Sequence, residues 1–375
     1  MKLSLSGFAI AATVLMGAAA SHAQDIKLGV VAGMSGPGTS YGIGIRQGAE
    51  MAVNEINAAG GVKGRKISLV VVDDASNPAQ SVTAMQRLAS DKVDVIVGGW
   101  GSSQVLANME VAERAGIPYV VVGATNPKIT TDKNKWTFRV IPTDSDQAGQ
   151  IAEAAVKRLG MKRIAVIHDV NDYGVGNRDV FLASLKKLGL EPVAVVSYQS
   201  NDKDFTAQLS RIAASNADGV AIFGTIPAAP AIMNQARDLG IKARFIGTGG
   251  LANENLMTLA PKASEGTVLT TLFHEDVDAD ATAWSQRFVK EFSGAAQPAR
   301  PILAAYEYRA IKTIVAPCLA SAGTDKDKLR QCIGSFKGRM FGIPGEVSFD
   351  KTGQMQQQSV LVEVGRGTFQ AFKGK

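Results

Sequence analysis

Two short turns carry the residues best suited to chemistry: Gly98-Gly99-Trp100-Gly101-Ser102-Ser103 and, a little further on, Gly123-Ala124-Thr125. Each follows a short apolar run, residues 93–97 and 119–122, of the kind that forms a buried parallel strand. Each turn therefore opens at the carboxyl end of a strand, where open α/β sheets hold their ligands. Ser102 and Ser103 fall where the next helix must begin, so hydroxyls converge with the unbonded N–H groups of a first helical turn. That combination selects an anion, and a carboxylate fits it. The competing reading of Ser102 is a plain helix N-cap, and of Thr125 a hydroxyl that only steadies its turn.

Other chemistries find little footing. The three histidines are His22, His168 and His274, and none stands in the spacing of a metal ligand set. His168 ends a predicted strand and reads as a hydrogen-bonded structural residue. No GxSxG elbow is present, and no pair of acids stands out as a general acid and base. A dinucleotide site is the more serious rival, because a strand, a glycine turn, a helix and a second strand ending in Asp73 imitate half of such a fold. The glycines are wrong for it: Gly33, Gly36 and Gly38 are interrupted by Pro37, and the required GxGxxG is missing. No cofactor, metal or catalysis is expected.

The elements that must position the two turns alternate regularly. Strands are predicted over 26–32, 66–72, 93–97 and 119–122, with helices over 41–59, 77–91 and 102–115 between them. This βαβαβαβ series demands right-handed crossovers and a parallel sheet covered on both faces. Residues 124–143 break the rhythm with turn and linker signals at Asn126-Pro127, residues 132–135 and Ile141-Pro142. The series then restarts, with strands over 163–168, 191–197, 218–223 and 244–247, and helices over 144–159, 173–188, 204–215 and 227–239. Two such units in tandem mean two lobes. The tail offers helical patterns over 279–292, 301–322 and 325–336 and strand-like pieces near 346–349 and 359–364. These are too few for a third core and must return to the two lobes, so the chain crosses between lobes more than once.

A length of 375 residues suits two domains, and 46% hydrophobic with 20% charged residues is an ordinary globular composition. Lys2, the apolar stretch 8–20 and the small residues Ser21 and Ala23 read as a secretory signal covering 1–23, cleaved after Ala23. The apolar run is too short for a spanning anchor. Losing Lys2 lowers the net charge from +6 to +5. The lysines and arginines are scattered along helices, so solvated faces explain them and no nucleic-acid partner is expected. Cys318 and Cys332 flank a polar turn in a chain bound for an oxidising compartment, and a local disulfide is expected between them.

At the level of particular residues the chain resembles the leucine/isoleucine/valine-binding proteins of branched-chain amino acid ABC transporters. The resemblance is carried by Ile26-Lys27-Leu28-Gly29-Val30, Met34-Ser35-Gly36-Pro37, Tyr41-Gly42, Asn57-Ala58-Ala59-Gly60-Gly61-Val62-Lys63-Gly64 and Asp73-Asp74-Ala75-Ser76-Asn77-Pro78. It continues in His168-Asp169 with Tyr173-Gly174, Lys203-Asp204-Phe205 and Gln235-Ala236-Arg237, and so covers the whole mature chain. It implies an α/β, type I periplasmic-binding-protein fold, with two doubly wound parallel-sheet lobes joined by a three-crossover hinge. The lobes would comprise residues 24–143 plus 273–350 and residues 144–272 plus 351–375. It also implies a monomer in the periplasm that closes over a small-molecule carboxylate and delivers it to a membrane permease. The matching site residues are Ser102 and Thr125 for the carboxylate, Gly123 for its carbonyl, and Tyr41 and Tyr173 as cleft-lining rings. Ser103 and Thr225 are expected beside them.

The departures narrow the ligand. Amino-acid binders of this family carry an acid after the strand at 244–247, to pair with the ligand's ammonium group, and here Gly249 holds that position. A desolvated ammonium without a carboxylate is costly. A second-lobe tyrosine is replaced by Ile226, and Trp100 stands where an aliphatic residue is common. The expected ligand is therefore a hydrophobic carboxylate, aromatic or a keto acid, stacked on Trp100, Tyr41 or Tyr173. The alternative keeps leucine-like ligands, with Asp172 or Glu275 replacing the lost acid. The family's half-cystine positions are Ser76 and Gly101, so its disulfide is absent. An exported enzyme, or a sensor using the same cleft, is the alternative from another class.

Overall fold

Alternating apolar residues build the first sheet, because successive side chains of a strand point to opposite faces. In the computed structural model, which describes residues 24–131, 133–295 and 301–374, five strands form that sheet. They are β1 (Ile26–Ala32), β2 (Ile67–Asp73), β3 (Val95–Gly98), β4 (Tyr119–Val121) and β5 (Thr137–Arg139), in the order β2-β1-β3-β4-β5, all parallel. The helices α1 (Thr39–Ala58), α2 (Pro78–Ser90) and α3 (Ser102–Ala115) are its crossovers. Val30, Val97 and Val120 pack to the α1 side, and Val31, Ile96 and Val121 to the α2 and α3 side. The expected signal segment, 1–23, lies outside the described residues.

The segment 124–143 is more than the linker its turn residues suggest. Thr137, Phe138 and Arg139 add the edge strand β5 to the first sheet, and all three are buried. Three residues are too few for a period-2 pattern to show.

The second sheet follows with α4 (Asp144–Glu153), β6 (Ile164–Asp169), α5 (Asp172–Lys187), β7 (Ala194–Tyr198), α6 (Thr206–Ala214), β8 (Gly219–Phe223), α7 (Ala228–Asp238), β9 (Arg244–Gly247), α8 (Asn255–Leu259) and β10 (Val268–Thr271). The chain then returns as α9 (Ala279–Phe292), α10 (Pro301–Arg309), α11 (Ala316–Ala322) and α12 (Lys326–Gly334). Their Trp284, Phe288, Tyr306 and Leu329 join the core under α1 in the first lobe. A two-stranded ribbon, β11 (Lys337–Gly338) with β12 (Val347–Ser348), precedes the last crossing. Gln354 and Met355 still pack with the first lobe, beyond the boundary expected at 350.

The last strands, β13 (Val360–Gly365) and β14 (Thr368–Ala371), close the second sheet in the order β14-β13-β10-β9-β8-β6-β7. Here the parallel pattern ends: β13 runs antiparallel to β10, and β14 antiparallel to β13. A tight hairpin can only pair that way. The long pattern at 301–322 is likewise not one regular helix, because a π-helical stretch (Ala310–Val315) separates α10 from α11. Cys318 and Cys332 are joined by a disulfide that ties α11 to α12. No described helix is long and apolar enough to cross a membrane.

Candidate functional site

The floor of the site begins where β3 ends. Gly98 and Gly99 have φ of +136° and +79°, which side-chain-bearing residues rarely adopt. A Cβ on Gly98 would also lie 2.6 Å from the Val31 carbonyl oxygen. This sharp exit aims the chain into α3, whose N-cap is Gly101. No side chain caps that helix, so its first N–H groups remain without a side-chain partner. Ser102 is therefore the first helical residue, not its cap. It is 2% exposed, and its hydroxyl oxygen accepts from the Asn126 N–H at 3.3 Å. Its own proton has no acceptor among the described residues.

Thr125 stands opposite, after β4. It is 3% exposed, and its hydroxyl makes no hydrogen bond of full geometry, although it lies close enough to Asp144 to favour that carboxyl's charged form. The loop that carries it is held from below by Arg139 on β5. That guanidinium donates to the carbonyls of the two flanking residues, Ala124 at 3.4 Å and Asn126 at 2.6 Å, and to Gln354 at 2.6 Å. Burial lowers the Arg139 pKa to about 10, opposed by Asp144, Asp146 and Asp350. Beside it, Asp144 is fully buried and its carboxyl is raised to about 7 by that burial; the Thr125 hydroxyl, Arg139 and Asn177 act in the opposite direction. Arg139 comes from the stretch that sequence patterns mark as a linker, and Asp144 opens the helix predicted after it, so neither announces itself there as part of a site.

These elements and their counterparts in the second lobe enclose a cleft of about 770 Å³. Tyr41, Trp100, Ser102, Ser103, Gly123, Thr125, Tyr173, Thr225 and Gly249 all line it. Two hydroxyls with free capacity, Ser102 and Thr125, thus converge beside an uncapped helix start. Among the described residues no lysine, arginine or histidine lines the cleft. An anion entering this cleft would meet neutral donors alone.

The remaining side chains sort by what they already touch. Tyr41 stacks on Trp100 with ring centroids 5.2 Å apart and planes 4° from parallel. Its hydroxyl donates to the Gly250 carbonyl at 2.9 Å and accepts from the Ile226 N–H at 3.2 Å, both in the second lobe. Trp100 in turn fills the space above Gly38, where a Cβ would come within 2.2 Å of the indole. One face of each ring is thus covered by protein. The Tyr173 hydroxyl accepts from the Gly250 N–H at 2.8 Å and lies 2.9 Å from the Thr248 hydroxyl. Burial pushes both phenols well up, so both keep their protons. Ser103 is already engaged: its hydroxyl donates to Asp172 at 2.8 Å and accepts from the Asp172 N–H at 3.2 Å. It fastens the lobes rather than offering a free hydroxyl.

The Gly249 position contains an amide. Gln147 Oε1 accepts from the Gly249 N–H at 3.0 Å and from the Thr270 hydroxyl at 3.2 Å. A Cβ on Gly249 would lie 2.7 Å from that oxygen. Neither proposed substitute acid lines the cleft: Asp172 is held by Ser103, and Glu275 is exposed on a turn. The acids that do line it are Asp169 and Glu254. Asp169 stands in the His168-Asp169 motif of the resemblance but is given no site role there, and sequence patterns single out neither Glu254 nor Gln147. Burial pushes the Asp169 carboxyl up, against hydrogen bonds from the Asn171 N–H and the Ser200 hydroxyl. His168 is satisfied structurally, with Nδ1 2.8 Å from the Asp169 carbonyl oxygen and Nε2 3.3 Å from Arg178. Where the resembling family has a disulfide, the Gln104 amide donates to the Ser76 carbonyl at 2.7 Å.

Comparison with known proteins adds independent findings. A profile described as periplasmic binding protein matches residues 25–368. An amino acid binding protein of Pseudomonas aeruginosa is 32% identical over 357 residues, covering 94% of each chain. Among solved structures, a leucine binding protein from Thermotoga maritima aligns with a TM-score of 0.85 at 28% identity, covering 93% of this chain and 98% of that one. A branched-chain amino acid transporter substrate binding protein from Streptococcus pneumoniae, in complex with isoleucine, aligns with a TM-score of 0.86 at 26% identity, covering 94% and 99%.

Proposed function

Because the chain belongs to the periplasmic binding protein family, among the branched-chain amino acid binding proteins, we propose that it is the extracytoplasmic solute-binding component of an ABC importer. In this reading it is exported to the periplasm by the segment 1–23 and acts as a monomer without catalysis. A hydrophobic carboxylate, aromatic or a keto acid, lands on Ser102 and Thr125. The second lobe closes over it with Tyr173, Thr225 and the Gly249 turn, and the closed form is handed to a permease. Hydroxyls and first-turn N–H groups suit a carboxylate because they stabilise negative charge without a paired base.

One observation carries the ligand class. The position that would supply an ammonium partner is Gly249, and its surroundings are filled by the Gln147 amide. A buried ammonium left there without a carboxylate loses several kcal/mol in principle. The reading of leucine-like ligands draws on a different observation. Asp169 and Glu254 line the cleft, and the Pseudomonas relative is named for amino acids.

A thermal-shift and calorimetry panel separates the two readings. Benzoate, phenylpyruvate and 4-methyl-2-oxopentanoate are run against leucine, valine and phenylalanine on the purified mature chain. Stabilisation by aryl or keto acids is expected. Stabilisation by leucine or valine alone rejects the proposal in favour of the second reading. Recovery of each bound compound unchanged after incubation distinguishes a binder from an enzyme.

A further inference from the structure

Strand β6 delivers Asp169 to the second-lobe wall of the cleft with one oxygen held by two donors and the other met by no side chain. Oδ1 accepts from the Asn171 N–H at 3.0 Å and from the Ser200 hydroxyl at 2.8 Å. Among the described residues no side chain donates to Oδ2, and the Val170 N–H is a further backbone donor that favours the charged carboxyl. The residue is only 2% exposed and lines the cavity. A carboxylate oxygen at a cavity wall becomes costly once closure over a ligand excludes water, unless a donor reaches it. No described lysine, arginine or histidine lines the space, so no protein cation pairs with the carboxylate. A donor carried by a ligand can take that place when the cleft closes.

The geometry also fixes which end of a ligand this is. The anion cradle of Ser102 and Thr125 belongs to the first lobe, at the ends of β3 and β4. Asp169 belongs to the second lobe, at the end of β6. A carboxylate end placed against Asp169 would meet like charge. We infer that Asp169 is a specificity-determining residue that accepts a hydrogen bond from a hydroxyl or amino group at the end of the ligand remote from its carboxylate. The inference rests on the carboxylate reading of the first-lobe cradle and deepens it. The ligand becomes a bifunctional acid whose two ends engage the two lobes, so closure is favoured by the whole molecule rather than by its acid alone.

The test compares benzoate, 3-hydroxybenzoate, 4-hydroxybenzoate and 4-methoxybenzoate by calorimetry on the purified mature chain and on Asp169→Asn. Asparagine keeps the Oδ1 acceptor for Asn171 and Ser200 and removes only the other carboxylate oxygen. At least one hydroxybenzoate is expected to bind the unmodified protein about tenfold or more tighter than benzoate, the scale of a hydrogen bond to a charged acceptor. The methoxy compound, which cannot donate, is expected to lose that advantage. In Asp169→Asn the ratio of hydroxybenzoate to benzoate affinity should fall to within about threefold, with benzoate itself little changed.

Equal binding of benzoate and both hydroxybenzoates by the unmodified protein overturns the inference, and this arm needs no variant. A uniform loss of all the acids in Asp169→Asn also overturns it, because the residue then serves only to hold the Asn171 and Ser200 loops. If the whole series fails while leucine binds, the carboxylate-class proposal itself has failed, an outcome distinct from either of these.

Discussion

Tyr41 lies flat against Trp100, 5.2 Å between ring centroids, while its hydroxyl reaches out of the first lobe to the Gly250 carbonyl and the Ile226 N–H of the second. The stack steers the phenol from within one lobe, and the hydroxyl fastens the other. A ring that sequence reasoning assigns to ligand stacking is thus also a joint between the lobes.

Replacing Tyr41 with phenylalanine should separate these two roles. The stack survives and the interlobe bonds are lost. Carboxylate affinity is expected to fall by about fivefold to tenfold, the worth of a net hydrogen bond of about 1 kcal/mol. Small-angle scattering of the unliganded variant should show a larger radius of gyration than the parent. An unchanged radius together with unchanged affinity would remove the fastening role.

The Thr125 hydroxyl is buried and makes no hydrogen bond of full geometry, with only a close approach to Asp144, so its removal should act mainly on binding. Thr125→Val is expected to leave the unliganded melting temperature equal or slightly higher, because an unsatisfied buried hydroxyl is itself destabilising. Affinity for an anionic ligand should drop by roughly tenfold or more, about 1.5–3 kcal/mol for a hydrogen bond to a charged group. Calorimetry and a melting curve on the same preparation check both halves. A lower melting temperature with intact binding contradicts the assignment.

Arg139 should matter to both. Its guanidinium holds the Ala124 and Asn126 carbonyls on either side of Thr125, as well as Gln354. Arg139→Met leaves these buried acceptors unpaired, at about 3 kcal/mol of unfolding free energy by urea denaturation. Ligand affinity of the fraction that remains folded should fall as well, since the Thr125 loop loses its support. A variant as stable as the parent would mean that the loop holds itself.

Asp144 gives the fold a pH signature. Burial raises its carboxyl to about 7 in the native protein, from the 3.8 of an ordinary aspartate. Between those values the unfolded chain has released a proton that the native state still holds, so stability falls as pH rises through the native pKa. Asp144→Asn does not titrate. Its stability relative to the parent should therefore improve between pH 5 and pH 8, by at most about 3 kcal/mol at roughly 1.4 kcal/mol per unit. Paired denaturation curves at the two pH values measure this. A difference that stays constant with pH would show that Asp144 titrates in the ordinary range.

The alternation of strands and helices, the two glycine and hydroxyl turns at the ends of β3 and β4, and the α/β class follow from the order of residues alone. Hydrophobic period, helix starts and the need for glycine at positive φ are all local, so neighbouring residues suffice to specify them. The edge strand β5 escaped because three residues carry too little pattern. The contents of the site were decided by folding. Tyr41 meets Gly250 across 209 positions, Gln147 meets Gly249 across 102, and Ser103 meets Asp172 across 69. Such pairs form only when two separately wound sheets turn their carboxyl strand ends towards one another. Residue types at those positions show what each group can do; the packing of the lobes selects which hydroxyl is left free for a ligand and which is taken.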